Sequence, residues 1–156
     1  MKRLTINKQI LQDELSVQLV GAIDEDSDFK ELMGLEQKTI SFDFDLVTMI
    51  NSCGIREWIK FNEKLPPKSN IVYKNCPQII IEQINMVHGF FRQGAVIQSF
   101  YAPYYCEKCG KEAKIHIKSE QVKNRKAPSA DCPHCGNEDI EFDAIEAQYF
   151  SFLGKV

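Results

Sequence analysis

The sequence predicts an α/β fold, a mixed β-sheet with helices on one face, followed by a small β-minidomain stapled through cysteines. Three observations predict it. Period-two apolar runs alternate with period-3.6 stripes through residues 1–101. Four of the six cysteines stand in two C-x-x-C pairs beyond that point. And 156 residues leave, after a domain of ordinary size, a segment 102–156 too short to bury a core by itself.

The elements follow in order. Residues 4–11 and 15–20 read as two strands of a hairpin around the polar Gln12-Asp13-Glu14, the second alternating Leu15, Val17, Leu19 against Ser16 and Gln18. Asp26-Ser27-Asp28 offers N-cap oxygens to a short helix whose stripe is Phe29, Leu32 and Met33, ending near Gly34. A strand over 39–44 puts Ile40, Phe42 and Phe44 on one face and Thr39, Ser41 and Asp43 on the other, so the helices belong on one side of the sheet. Asn51-Ser52-Cys53-Gly54 starts a second helix with Ile55, Trp58, Ile59, Asn62 and Leu65 inward, stopped by Pro66-Pro67. A strand over 71–73 precedes a third helix, capped by Asn75-Cys76-Pro77 with Pro77 at its first position and Ile80, Ile84 and Val87 buried; a strand over 95–101 closes the domain. Strand-helix-strand units of this kind need right-handed parallel crossovers.

Composition bounds the function. With 44% apolar and 26% charged residues, no signal-length apolar run and no stretch able to span a bilayer, the chain reads as a soluble cytoplasmic protein without membrane contact. A formal charge of −3 argues against a nucleic-acid binder working through bulk charge. No serine elbow, phosphate-binding glycine loop or Glu-His metal pair is present, so no enzymatic activity is expected.

Cys106-Glu107-Lys108-Cys109-Gly110 and Cys132-Pro133-His134-Cys135-Gly136 are separated by 22 residues. A C-x-x-C turn sets two thiolates on one tight knuckle, the following glycine admits a left-handed backbone, and two knuckles complete a tetrahedral shell. In a reducing compartment this spacing reads as a zinc ribbon: one structural Zn2+ per chain on Cys106, Cys109, Cys132 and Cys135, with strand-like stretches over 113–118, 140–142 and 147–152. Paired redox disulfides and a rubredoxin-like iron site are the alternatives. Four cysteines leave no open coordination position, so the metal is structural, and His88, His116 and His134 read as non-ligands. The short Ala102-Pro103-Tyr104 connection predicts that the ribbon docks on the first domain, with Phe100, Tyr101, Tyr104, Tyr105, Tyr149, Phe150 and Phe152 as the seam.

The first hundred residues resemble a STAS domain, the fold of bacterial anti-sigma factor antagonists. Leu19-Val20-Gly21-Ala22-Ile23-Asp24 matches that family's apolar-Gly-x-Ile-Asp strand ending, Asn51-Ser52-Cys53-Gly54-Ile55 stands where its Asp-Ser-Ser-Gly-apolar turn would be, and the element order fits. The resemblance implies a regulatory protein-interaction module whose partner, a kinase-like anti-sigma factor, meets Asp24, Asn51, Ser52, Cys53, Gly54 and the outer helix positions Arg56 and Lys60. In that family the second serine of the turn accepts phosphate; here it is Cys53, and the acidic residue is Asn51, while Ser52 keeps a hydroxyl.

Two further readings stand beside it. Cys53, at a helix N-terminus, is either a small buried residue that fits the turn, the favoured reading, or a redox-sensitive thiol in a sensing adaptor; Cys76 carries the same pair of readings. Asp24, Asn51 and Ser52 also read as caps and turn residues. The stretch 118–126 holds four basic residues against one acidic, so Lys123, Arg125 and Lys126 are candidate nucleic-acid contacts, although 102–156 carries eight basic side chains against nine acidic ones. A solvated hairpin tip explains that stretch equally.

Overall fold

In the computed structural model, which describes residues 3–154, the chain opens with the expected hairpin. Residues 1, 2, 155 and 156, at the ends of the two expected units, lie outside the described residues. Strands β1 (Thr5–Leu11) and β2 (Glu14–Ile23) pair antiparallel from Thr5 opposite Val20 to Leu11 opposite Glu14, and Gln12 takes φ 56° to make the tight turn. Leu15, Val17 and Leu19 are buried, as their alternation predicts.

The helix expected at 29–34 is a single 3-10 turn, Lys30–Leu32. The N-cap position falls on Phe29, which offers no side-chain cap, and Asp28 Oδ1 accepts the Lys30 N–H at 2.9 Å in an Asx turn that leads into it. Phe29 and Leu32, the two anchors, lie three apart, the repeat of a 3-10 turn, and Gly34 at φ 76° ends the segment before an α-helical nucleus can form.

Strand β3 (Thr39–Ile50) is parallel to β2 and six residues longer than the alternation of 39–44 predicts. Ile40, Phe42 and Phe44 are buried on one face, but the next buried residue is Val47, out of phase, while Leu46 and Met49 are exposed. Register shifts between Gln18 and Val20 and between Gly21 and Ala22 absorb the phase change, which period-two reading cannot follow.

Helix α1 (Ser52–Glu63) begins with Asn51, whose Oδ1 accepts the Gly54 N–H at 2.9 Å. It buries Trp58, Phe61 and Asn62 and leaves Arg56 and Lys60 exposed. Strand β4 (Asn70–Lys74) lies parallel to β3, and α2 (Gln78–Met86) follows, with Pro77 as its N-cap, so the helix starts one residue later than expected. Ile80, Ile81 and Ile84 are its buried line, and Val87 is half-buried.

The closing strand expected at 95–101 is two strands in two sheets. β5 (Val96–Ile97) completes the order β1-β2-β3-β4-β5, in which only β1 is antiparallel to its neighbour. After Gln98, whose N–H donates to Tyr73 O, β6 (Ser99–Cys106) leaves to form an antiparallel sheet β7-β6-β8 with β7 (Lys111–Lys118) and β8 (Glu141–Phe142). The expected boundary at 101/102, and the connection Ala102-Pro103-Tyr104, therefore fall inside one unbroken strand. The β-like stretch expected at 147–152 is instead a helical turn, α3 (Glu146–Tyr149), continued by a 3-10 turn, Phe150–Gly154. Tyr149, Phe150 and Phe152 are all buried; a strand would send Tyr149 and Phe150 to opposite faces, whereas a helical turn keeps both on the core.

Trp58 is the hub of the core, with rings of Phe29, Phe42, Phe44, Phe61, Tyr73 and Phe90 within 6.0 Å of its own. Its Nε1 donates to Phe90 O at 3.0 Å, and Tyr73 OH and Asn62 Nδ2 donate to the same carbonyl at 3.1 and 3.4 Å. A second aromatic group joins Phe100 to Tyr149, Phe150 and Phe152, with Phe142 stacked on Phe150 at 5.1 Å. The two groups belong to one continuous buried cluster. Of the seven expected seam aromatics, Tyr101 and Tyr105 are only half-buried; Tyr101 OH instead donates to Asp45 at 2.7 Å. No helix among the described residues is long and apolar enough to cross a membrane.

Candidate metal centre

The turn between β6 and β7 and the loop before β8 bring the four cysteines together. In the first, Gly110 N–H donates to Cys106 O at 2.8 Å with Gly110 at φ 71°; in the second, Gly136 N–H donates to Cys132 O at 2.9 Å with Gly136 at φ 79°. The two loops are the same knuckle, built twice. Paired bonds from Cys132 N to Asn137 O and from Ile140 N to Ala130 O, each 2.8 Å, hold the second knuckle as a small hairpin.

The sulfurs of Cys106, Cys109, Cys132 and Cys135 all lie within 4.8 Å of one another, a group that could hold one metal ion. Cys106 Sγ is 3.6 Å from Cys135 Sγ, and Cys109 Sγ is 3.7 Å from Cys132 Sγ. Cys106 and Cys132 are buried, Cys109 is half-buried and Cys135 is exposed. The backbone N–H of Cys109 draws the Cys106 thiol down to about 6, while burial pushes Cys109 up to about 11. Burial opposes ionisation of Cys132 too, but the backbone N–H groups of Cys135 and His134 outweigh it and hold the thiol below its usual range. Four thiolates this close repel one another, so a shared cation is what would let all four ionise.

Asn137, which no sequence motif marks, donates from its Nδ2 to Cys106 Sγ at 3.6 Å. An asparagine two residues after a C-x-x-C pair carries no spacing signal of its own. None of the three histidines joins the sulfurs: His134 Nε2 lies 3.2 Å from Glu112 O, His116 Nε2 lies 2.8 Å from Asn75 Oδ1, and His88 is exposed near the end of α2.

The expected partner-binding residues separate by exposure. Asp24 is 3% exposed; its Oδ1 accepts the Asp26 N–H, and its own N–H donates to Ser27 Oγ, so it serves the turn. Asn51 caps α1 and its Nδ2 donates to Glu25 Oε2 at 2.9 Å, a bond that holds the Glu25 carboxyl below its usual range. Gly54 is buried against β2. Ser52, Cys53, Arg56 and Lys60 are exposed, so the favoured expectation of a buried Cys53 is overturned: the first turn of α1 presses Gly54 to the sheet and turns Cys53 outward. Of the two cysteines outside the sulfur cluster Cys76 is the buried one, pushed well up by burial, which fits its structural reading.

Lys123, Arg125 and Lys126 are all exposed on a turn in which Asn124 and Arg125 take positive φ, and Lys126 Nζ lies 3.8 Å from Glu146. No family model matches this chain, and no curated protein matches it significantly.

Proposed function

We propose that this chain is a non-enzymatic, regulatory protein-interaction module of the STAS kind, with one structural zinc ion in its second sheet. The observation that carries the first part is the close seating of α1 on the end of β2. A Cβ on Gly54 would lie 2.0 Å from Ile23 O, so glycine at this place in the Asn51-Ser52-Cys53-Gly54 turn is a requirement of the packing. That seating displays Ser52, Cys53, Arg56 and Lys60 together at one end and face of α1, the surface through which an anti-sigma factor antagonist meets its partner. Cys53 is no substrate for a serine kinase, so the module engages its partner without that family's phosphate switch.

For the metal, a tetrahedral shell with Zn–S near 2.3 Å has sulfur-sulfur edges of about 3.8 Å. The separations of 3.6 and 3.7 Å support that shell. With four thiolates bound the ion has no open position, so its work is to close the second sheet; zinc over iron rests on the absence of a fuller rubredoxin pattern.

The test is affinity capture from the native cytoplasm with wild type and with Arg56→Glu, Lys60→Glu, after native mass spectrometry has given one zinc per chain. Capture of a kinase-like anti-sigma protein by wild type alone supports the reading. Equal capture by both forms refutes the α1 surface. Salt-dependent retention of nucleic acid that is lost when Lys123, Arg125 and Lys126 become Ala would move the function to the second sheet.

A further inference from the structure

A cleft of about 590 Å³ opens between the C-terminal ends of α1 and α2 and the chain that links α2 to β5, away from the metal and from the exposed first turn of α1. Its volume is that of a small-molecule site. Leu65, Val87 and Phe91 give it an apolar lining, and Asn62 and Arg92 stand in the same wall.

Both polar residues are incompletely satisfied. Asn62 is 4% exposed, and its Nδ2 donates to Gly89 O at 3.1 Å and to Phe90 O at 3.4 Å. Two carbonyl acceptors fix the orientation of the amide, so Oδ1 is an acceptor that needs a donor, and among the described residues it has none. Arg92 Nη1 is likewise shielded from solvent without a protein acceptor, and the one ion pair among the described residues, Lys126 with Glu146, does not involve Arg92. A shielded guanidinium nitrogen without an acceptor and a shielded carbonyl oxygen without a donor are each costly, and here both belong to residues that line one cleft.

We propose that this cleft binds a small monocarboxylic acid with an aromatic or branched apolar body and an O–H or N–H donor: carboxylate on Arg92, donor on Asn62 Oδ1, body against Leu65, Val87 and Phe91. Arg92 is half-buried, and its guanidinium supplies the charge-assisted donors that a carboxylate accepts. Glu63 also lines the cleft, so a dianion such as a phosphate monoester meets about twice the repulsion there that a single carboxylate does.

The probe is para-hydroxybenzoate, titrated into the full-length, metal-loaded chain and followed by amide-resolved NMR. Saturable shifts are expected at Leu65, Gly89 and Gln93, with affinity reduced at least about tenfold for Arg92→Gln and for the uncharged methyl ester of the probe, and several-fold for benzoate, which lacks the donor. The ester comparison uses wild type, so it stands even if Arg92→Gln folds poorly. Absence of saturable shifts up to about 10 mM, equal binding of acid and ester, or tighter binding of phenyl phosphate overturns the proposal.

Discussion

Substituting Gly54 by Ala tests the seating of α1 directly. The added Cβ would lie 2.0 Å from Ile23 O, 2.4 Å from Ile23 C and 2.8 Å from Asp24 N. All three are backbone atoms, so no side chain can rotate away. Ordinary contact begins near 3.4 Å, and the start of α1 must therefore retreat by roughly 1.4 Å from β2. That retreat drags Trp58 and Phe61 from close packing against Phe42, Phe44 and Phe29. Overpacking of this kind costs about 1–3 kcal/mol and partial loss of the Trp58 contacts adds to it, while Ala in place of Gly returns about 0.5–1 kcal/mol of helix propensity. The net expectation is a loss of roughly 2–4 kcal/mol, a fall in Tm of roughly 5–15 °C for a chain of this size. The assay is thermal and urea unfolding by circular dichroism, with Cys53→Ala as the exposed control, expected within about 0.5 kcal/mol of wild type. Unchanged or raised stability for Gly54→Ala would refute the reasoning, since helix propensity alone would then govern the site.

Single substitution of Cys106, Cys109, Cys132 or Cys135 by Ser is expected to abolish the one-zinc mass by native mass spectrometry, whereas Cys53→Ser and Cys76→Ser retain it; zinc lost from the last two would refute the four-cysteine assignment. Asn51→Ala removes the cap of α1 and the Glu25 contact and is expected to lower stability by about 1 kcal/mol in urea titration. Phe100→Ala empties the middle of the second aromatic group and is expected to cost about 3–5 kcal/mol by the same measurement. Tyrosine ionisation, followed by ultraviolet absorbance, gives the pH dependence: Asp45 accepting its hydroxyl pushes Tyr101 up to about 12, and burial does the same for Tyr104. Because the folded state raises these values, their stabilisation is fully present below the usual value near 10 and is lost as pH climbs from there toward 12. Ionisation of all five tyrosines at pH 10 with the fold intact would contradict this.

What the residues announced and what they concealed divide along physical lines. The hairpin, the Asn51 cap, the Trp58 stripe and the clustering of the cysteines were legible, because each is a local rule of alternation, helical spacing or knuckle spacing with one dominant solution. Three things were not. The phase of β3 changes at bulges whose partners lie on β2, so no pattern within 39–50 encodes it. Residues 147–152 have aromatic, strand-favouring composition, but packing of Tyr149 and Phe150 on Phe100 and Phe142 overrides propensity. And Phe90, whose carbonyl takes three donors from Trp58, Asn62 and Tyr73, lies in a loop, where the sequence shows only Gly89 and two adjacent phenylalanines.

The second sheet and the first are joined by more than contact. In β6 the buried residues are Ser99, Phe100, Ala102, Tyr104 and Cys106, so from Phe100 onward one alternation carries both the aromatic group and a sulfur of the candidate metal centre. At its start the strand is tied to the α2 side by bonds from Cys76 N to Ser99 O and from Tyr101 N to Cys76 O. Behind it, Asn85 of α2 donates to Tyr149 O and accepts from Ser151 Oγ. The sulfur cluster thus takes its position from the same strand phase that packs Phe100, and loosening the cluster reaches α2 through β6 and the 149–152 turn. Trp58 takes its ring partners elsewhere, from β3, β4, α1, Phe29 and Phe90, and meets the Phe100 group only through the wider buried cluster.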